Sequence, residues 1–370
     1  MVNRRNGSEF LRSVSSKPRS VSARLFSLGA GVALCSTFFE CGLRQSSDLP
    51  DAPQTARSQP ASTTKEPTSD ETSALVDEDL SSEKTRSTEG NSVLEYDVDH
   101  PATTFALPAA LREISDITVL SEKEIACVQD EQGVVFIYDL DTKRITDEVR
   151  FGSHGDYEGL ALVDSQIYVL RSDGVLFQLS SMRHHPAVQK FELHLPYSES
   201  EGLCLDASRN RLLIAPKSHE QTGSNKDFRP IYAFDLRKQA LAKDHAFEIS
   251  VRDIRRFAKK RGLPIPRRPK RDGENLHNAL HFAPSAIAVH PISREIFVLS
   301  AVDHVLVSCD ESGRIMGYAL LDASIFRQPE GLAFLPNGDM LISNEAAGKQ
   351  ASLVLVRRKP DGSNPQNRAK

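Results

Sequence analysis

The clearest pattern in this chain is a triplet of glutamate, glycine and leucine that follows a polar stretch and opens an apolar run. It occurs at Glu158-Gly159-Leu160, Glu201-Gly202-Leu203 and Glu330-Gly331-Leu332. A weaker copy at Glu113 has Ser115 and Asp116 in place of glycine and a hydrophobe, and another at Ser285 lacks the acid. The copies begin 45, 43, 84 and 45 residues apart. Since a four-stranded blade takes about 40–50 residues, this period predicts an all-β fold, a β-propeller.

Short apolar segments bounded by turn residues predict three or four strands in each repeat. Counted from residue 93, they give five blades, the last of which is one strand short. We predict that an N-terminal strand at 93–98 supplies this outer strand and closes the ring, because closure leaves no exposed sheet edge. The 84-residue interval makes six blades the alternative. Five are favoured because 253–258 reads as a helix, ended by Gly262 and Pro264.

The chain before the repeats has two parts of different character. Residues 1–43 are basic and then apolar, a pattern typical of a secretory signal or a membrane anchor. Cys35 and Cys41 raise a lipoprotein as a third possibility, although Leu34 and Glu40 precede them where a small residue is needed. Residues 44–92 are rich in Ser, Thr, Pro, Asp and Glu and contain no aromatic residue, which predicts a disordered linker. The propeller domain is predicted at 93–357 and a disordered tail at 358–370.

Composition narrows the possible partners only slightly. The net charge is −4, which gives no reason to expect nucleic-acid binding, and the chain is predicted to be a monomer. The five cysteines are odd in number and far apart, so no disulfide framework is indicated. Cys127, Cys204 and Cys309 lie within predicted strands and are expected to be buried thiols.

Several segments together closely resemble one family, the SdiA-regulated, YjiK-like (CarP-like) β-propellers. The segments are LREISDITVL, GDYEGLAL, SEGLCLD, SAIAVHP, EIFVLSAVDHVLVSCDESGRI and QPEGLAFLPNGDMLISNE. The resemblance covers roughly residues 93–357 and implies a secreted or envelope-associated bacterial propeller, often attached to a membrane, without a well-defined reaction. The chain is also similar, more remotely, to propeller phytases and lactonase-like propellers. With the N-terminal pattern, this predicts a periplasmic or other extracytoplasmic location in the cell envelope, and membrane association through residues 1–43.

Equivalent positions of the repeats should converge at one mouth of the central channel, because the first strand of each blade lines that channel. The predicted ligand-binding residues there are Glu113, Glu158, Glu201, Glu330, Asp130, Glu345, Arg171 and Lys217. Clustered carboxylates raise one another's pKa unless a cation compensates them, and oxygen ligands suit Ca²⁺. Ca²⁺ is therefore the predicted cofactor, and its predicted ligands are Glu113, Glu158, Glu201 and Glu330. In the alternative, each glutamate only accepts N–H bonds from the neighbouring blade, and Arg171 and Lys217 form internal salt bridges.

Motifs of known enzyme chemistry are absent from the sequence. It contains no Gly-x-Ser-x-Gly elbow, no Walker loop and no His-Glu-x-x-His segment. No catalytic residue is assigned, and a binding module for a small ligand or an envelope protein is favoured over an enzyme. A phytase- or lactonase-like hydrolase that uses the same acidic ring is one alternative. A protein-interaction scaffold with an inert channel is the other.

The predicted insertion between the third and fourth repeats is strongly basic. Residues 252–271 contain ten lysines and arginines and a single acid, Asp253. Such a segment suits anionic lipid, a polyanion or an acidic partner. A solvated basic helix without any partner explains the same pattern.

Overall fold

The computed structural model of the protein describes residues 92–182, 185–197, 199–217, 227–269 and 276–359. Its strands form five antiparallel sheets of a five-bladed propeller, so the predicted fold class is confirmed. The innermost strands contact one another in cyclic order around a central channel. The predicted signal or anchor (1–43), the linker except Ser92, and the tail from residue 360 lie outside the described residues.

The chain enters the ring at β1 (Thr103–Ala106). The first blade contains β2 (Ile114–Val119), β3 (Glu124–Gln129), β4 (Gln132–Asp139) and β5 (Arg144–His154). The second contains β6 (Tyr157–Val163), β7 (Gln166–Arg171), β8 (Val175–Leu179) and β9 (Val188–Glu192). The third contains β10 (Ser200–Asp206), β11 (Arg211–Pro216), β12 (Phe228–Asp235), β13 (Ala240–Leu241) and β14 (Phe247–Ser250). Both β13 and β14 pair with β12.

The insertion follows the third blade and contains α1 (Val251–Lys260), β15 (Arg267–Pro269) and β16 (Leu276–Asn278). The fourth blade contains β17 (Ala286–Val289), β18 (Ile296–Ser300), β19 (Val305–Cys309) and β20 (Ile315–Leu320). The fifth contains β21 (Pro329–Phe334), β22 (Met340–Asn344) and β23 (Ser352–Val356). Short 3₁₀ turns lie at Ala109–Leu111, Ala207–Arg209 and Ala301–Asp303.

An N-terminal strand does close the ring, but it is not the predicted one. The strand β1 pairs antiparallel with β23 and supplies the outer edge of the fifth blade. The prediction of 93–98 was wrong because that segment has the more apolar sequence, whereas the side chains of β1 are mostly exposed. An edge strand needs backbone partners more than it needs an apolar face.

Residues 92–98 instead form a wedge between the fourth and fifth blades. Ser92 bridges to Ala319 of β20, and Tyr96 bridges to Arg358 beyond β23. The side chains of Leu94, Tyr96 and Val98 are buried between these blades, and the Tyr96 hydroxyl donates to the Gly338 carbonyl at 2.6 Å.

Apolar side chains fill each of the five boundaries between neighbouring blades. Five clusters of buried residues correspond to these five boundaries, and each draws on the two sheets that face each other. The predicted buried thiols Cys127, Cys204 and Cys309 are free and belong to these clusters. Because both faces of each blade are covered, most strands read as nearly continuous apolar runs.

The insertion is a helix and a two-stranded ribbon, as the five-blade count requires. The Ser250 hydroxyl caps α1 by accepting the Asp253 N–H at 3.2 Å. The negative charge of Asp253 in the first turn interacts favourably with the positive N-terminal end of the helix dipole. Ile254 and Ala258 are buried against the third and fourth blades, while most cations of α1 face outward. Among the described residues, no helix is long and apolar enough to cross a membrane.

Candidate functional site

The candidate site lies at the mouth where the innermost strands begin. Four of these strands share one irregularity: a single residue bulges out of register with the second strand, and this residue is Ser115, Glu158, Glu201 or Glu330. Ser285 precedes β17 at the corresponding position of the fourth blade. Bulges commonly re-aim a side chain next to a functional site. We call these five positions the ring.

The strand register of the first blade places Glu113, which was predicted to belong to the ring, in a second layer of the mouth. Ser115 lies at the bulge of the first blade, and Glu113 precedes it by two residues. Four blades share a backbone hydrogen bond near this position. The N–H of the residue that follows the second strand donates to the carbonyl of a residue just before the first strand or its bulge. The accepting residues are Glu113, Asp156, Glu199 and Gln328. They form the outer layer of the mouth. The spacing contained this signal, because Ser115 precedes Glu158 by the same 43 residues that separate Glu158 from Glu201.

The same hydrogen bonds identify the equivalent positions after the second strands. The four donors are Asp130, Ser172, Lys217 and Glu345. Arg171, which was predicted as a ligand-binding residue together with Lys217, is not at the equivalent position, because Ser172 holds that place. Arg171 donates to the Asp173 carboxylate through two nitrogens, at 2.9 and 2.7 Å. It therefore forms the internal salt bridge that the alternative interpretation described.

Lys217 and Glu201 form an ion pair inside the mouth. The Lys217 Nζ lies 2.8 Å from Glu201 Oε1, and the Glu201 side chain is only 6% exposed. Burial raises the pKa of Glu201, and Lys217 opposes that rise. Burial would lower the pKa of Lys217, but the charges of Glu201, Glu330 and Glu158 outweigh burial and raise it.

The other two ring glutamates hold their protons unusually tightly. Burial, and then the charge of Glu201, raise the pKa of Glu330 to about 7. Burial also raises the pKa of Glu158, which Glu201 and a hydrogen bond with Asp156 raise further. The ring therefore has more carboxylates than Lys217 can neutralise, and this crowding favours their protonated forms.

The outer carboxylates show the same crowding. Burial and a hydrogen bond with Glu113 raise the pKa of Glu345, to which Gln328 Nε2 also donates. Burial raises the pKa of Asp130, followed by the charges of Glu113, Glu131 and Asp156. One carboxylate oxygen of Asp130, Oδ1, is buried without a hydrogen-bond partner. Glu113 has a cation beside it, because Arg112 Nε lies 3.1 Å from its Oε1.

A small pocket opens beside the ring at the fourth blade. It has a volume of about 230 Å³ and is lined by Lys217, Ser285, Arg327, Gln328 and Glu330, among others. Ser285 occupies the position that a glutamate fills in three other blades, and its short side chain leaves this space. The mouth therefore combines carboxylates on four blades with a pocket at the remaining one, the fourth blade.

Asp116 lies one step deeper and was not predicted as a site residue. It occupies the glycine position of the repeat and is buried. Burial raises its pKa, while N–H bonds from Ile117, Leu160 and Leu332 oppose the rise. Below it the channel is a narrow space of about 180 Å³, lined by the innermost strands of all five blades. Asp116 thus joins blades at the base of the mouth.

The mouth is rich in oxygen donors but is not a finished metal cage. In the described part of the chain, no three His, Cys, Asp or Glu side chains are grouped so that they could hold a metal ion as they stand. The carboxylates of Glu158 and Glu330 are hard oxygen ligands of the kind that Ca²⁺ requires, so the donor chemistry fits the ion. Coordination would require rotation of these side chains and loss of their protons.

No protein-family model and no curated protein matches the sequence. Solved structures are similar in fold: glutaminyl cyclase of Myxococcus xanthus has 16% identity and a TM-score of 0.46, over 70% of this chain and 95% of its own. A streptogramin B lyase has 12% identity and a TM-score of 0.39, over 69% and 97% of the two chains. A chain of a nidogen–laminin complex has 13% identity and a TM-score of 0.38, over 62% and 72%. At these identities the similarities concern the fold alone.

Proposed function

We propose that this protein is a binding module of the bacterial cell envelope that holds a cation at the acidic mouth of its propeller. The observation that carries the proposal is the position of Glu158, Glu201 and Glu330 at equivalent bulges of one mouth, where Lys217 is already paired to Glu201. The raised pKa of Glu158 and of Glu330 agrees with this crowding. A bound cation would replace the protons that now relieve the repulsion. Ca²⁺ is the cation that the oxygen donors favour.

Location and anchoring are part of this proposal. The basic and then apolar residues 1–43 support export, and the family resemblance supports membership in the SdiA-regulated, YjiK-like propellers. A cleaved signal, a lipid anchor and an uncleaved membrane anchor are distinguished by the mass of the mature protein from a membrane fraction.

The test is thermal unfolding of the full chain at pH 7.5 with added CaCl₂, MgCl₂ or an organic amine such as putrescine. A ligand that binds only the folded state raises the midpoint of unfolding, by an amount that grows with its concentration. We expect Ca²⁺ to raise the midpoint, and Glu158→Gln and Glu330→Gln to reduce that increase. Glu148→Gln is the matched control, because Glu148 is exposed on the outer strand β5.

The outcomes separate the possible ligands. If putrescine raises the midpoint and Ca²⁺ does not, the mouth binds an organic cation. If neither cation acts, or the Glu148→Gln variant loses the effect as strongly as the ring variants, the ring has no role in ligand binding and the protein is better described as a scaffold.

A hydrolase is the second candidate, and one observation favours it. The pKa of Glu330, about 7, is suited to general acid–base catalysis near neutral pH. The test is a panel of phosphate esters and lactones, with and without Ca²⁺, that compares the natural sequence with Glu330→Gln. Turnover that this substitution abolishes would establish the enzyme, and we expect none.

A further inference from the structure

A cavity at the insertion lies away from the mouth, on the outer side of the third and fourth blades. It has a volume of about 710 Å³, and its walls are α1, the strand β14 and the turn between β19 and β20. Pockets that bind small molecules have volumes of roughly 300–1,000 Å³. We call this cavity the helix-side pocket.

The apolar part of the lining, which we call the floor of the helix-side pocket, is held in place. Phe228, Phe257 and Ile315 contribute to the lining, and Ile315 and Phe257 pack with the core between the third and fourth blades. One wall is fixed by a close approach: Gly313 has a φ of +81°, and a Cβ there would collide with the Glu248 carbonyl. The apolar surface is therefore preformed and does not depend on a ligand.

The rim carries an excess of positive charge. Four basic side chains line the pocket against two acidic ones: Arg256, Lys260, Arg261 and Arg314 against Glu248 and Asp253. Arg256 pairs with Asp253, and Arg314 Nε lies 2.9 Å from Asp310. His245 lies 3.6 Å from Glu248, so this acid also has a neighbour.

Two cations of the rim differ from the others. Within the described part of the chain, neither Lys260 nor Arg261 has an acidic side chain at ion-pair distance. The guanidinium of Arg261 lies 3.7 Å from the centre of the Phe257 ring, which keeps a positive charge directly above the apolar floor. Two cations that have no acidic partner among the described residues thus border an apolar surface.

We propose that the helix-side pocket binds a small amphiphilic anion, in which a carboxylate, sulfonate or phosphate is carried on an aliphatic or aromatic body. The apolar body would cover Phe228, Phe257 and Ile315, and the anionic group would contact Lys260 and Arg261. The ligand is a soluble molecule and not a lipid within a bilayer, because the apolar surface lies inside a pocket and not on the outer face of α1. The pocket is independent of the acidic mouth.

The experiment is calorimetric titration of the full chain with sodium decanoate at a concentration below micelle formation. Decyltrimethylammonium is the control ligand, because it has the same apolar chain and the opposite charge. We expect decanoate to bind and the cationic detergent to bind at least about tenfold more weakly, since a charge-assisted contact contributes roughly 1.5–3 kcal/mol.

Two lysines of one helix provide a matched pair of variants. Lys259 and Lys260 are both exposed on α1, but only Lys260 lines the pocket. Lys260→Gln should weaken decanoate binding about tenfold, while Lys259→Gln should leave it within about twofold. Phe257→Ser should also weaken binding, and thermal unfolding of this variant shows whether it remains folded.

Three results would overturn the proposal. The first is equal binding of decanoate and decyltrimethylammonium, and the second is an equal loss of binding in the two lysine variants. The third is binding of vesicles that contain phosphatidylglycerol, with equal dependence on Lys259 and Lys260, by a protein that does not bind decanoate. That third result would identify the helix as a membrane-facing surface.

Discussion

The carboxylate of Asp116 accepts the backbone N–H of Leu160 across the boundary between the first and second blades, at 2.8 Å. Its other oxygen accepts the N–H of Ile117 at 2.8 Å, and Leu332 of the fifth blade also donates to this side chain. One side chain therefore connects three innermost strands. Such a connection at the base of the mouth fixes the positions from which the ring glutamates project.

Removal of this connection should destabilise the propeller. Asp116→Ala leaves three buried N–H groups without an acceptor, and each buried unsatisfied group costs about 1–3 kcal/mol. We expect Asp116→Ala to lower the free energy of unfolding by about 3 kcal/mol or more in urea melts. Asp116→Asn retains one acceptor oxygen and should lose less. An alanine variant as stable as the natural protein would show that these bonds contribute nothing.

The close approach of neighbouring blades depends on the glycine that follows a ring residue. A Cβ at Gly202 would lie 2.9 Å from the Ile287 nitrogen of the fourth blade. Gly202→Ala should therefore force the two blades apart and lower the free energy of unfolding by about 1–3 kcal/mol. Ala286 holds the same position in the fourth blade and already has a Cβ, so Ala286→Gly is the matched control. Equal effects of the two substitutions in urea melts would contradict a requirement for close approach.

The wedge of residues 92–98 should contribute more stability than the strand that closes the ring. Tyr96 is 1% exposed and contacts the rings of His290, Phe297 and Phe334, so Tyr96→Ala should cost about 3–5 kcal/mol. Phe105 of β1 is only partly buried, and Phe105→Ala should cost about 1 kcal/mol. Chemical denaturation measures both losses, and the reverse order would refute this ranking.

Stability should fall as the pH rises toward neutrality, and Glu330 should be one cause. Its folded pKa of about 7 lies above the ordinary value of 4.5, so the folded state binds this proton more tightly than the unfolded state does. The resulting stabilisation is complete below pH 4.5 and is lost as the pH rises through about 7.

Glu330→Gln cannot ionise and should remove this part of the pH dependence. Between pH 5 and pH 8, the free energy of unfolding of the natural sequence should fall by about 2 kcal/mol more than that of the variant. Urea melts at the two pH values without added calcium measure this difference. An identical pH dependence in the two proteins would mean that Glu330 ionises normally in the folded state.

The repeat predicted the blades well because each first strand begins with the same local chemistry. Glu158, Glu201 and Glu330 could be placed together from spacing, since equivalent positions of a closed ring converge. Glu113 was misplaced because the first blade has Asp116 where three other blades have glycine, and an acid two residues too early then matched the motif. The closing strand was missed because pairing of β1 depends on the position of its backbone, which its own side chains do not encode.

The helix-side pocket could not have been predicted from spacing. Its walls are far apart in sequence, and only the packing of the insertion on two blades brings Phe228, Phe257 and Ile315 together. The basic segment itself was evident, but a count of charges does not tell which cations are compensated by nearby acids. Lys259 and Lys260 are adjacent in the sequence and become distinct only through the fold.

The path of the chain from Ser92 to β1 has a mechanical consequence. A pull on Ser92 first loads its bridge to Ala319 and the hydrogen bond from Val93 to the Tyr318 carbonyl, both in the fourth blade. The load then reaches Tyr96 and Arg358 at the end of the fifth blade, and only afterwards the pairing of β1 with β23. Tension from the N-terminal side is thus shared by the fourth and fifth blades before it reaches the pairing of β1 with β23 that closes the propeller. This order protects that pairing from being the first to separate.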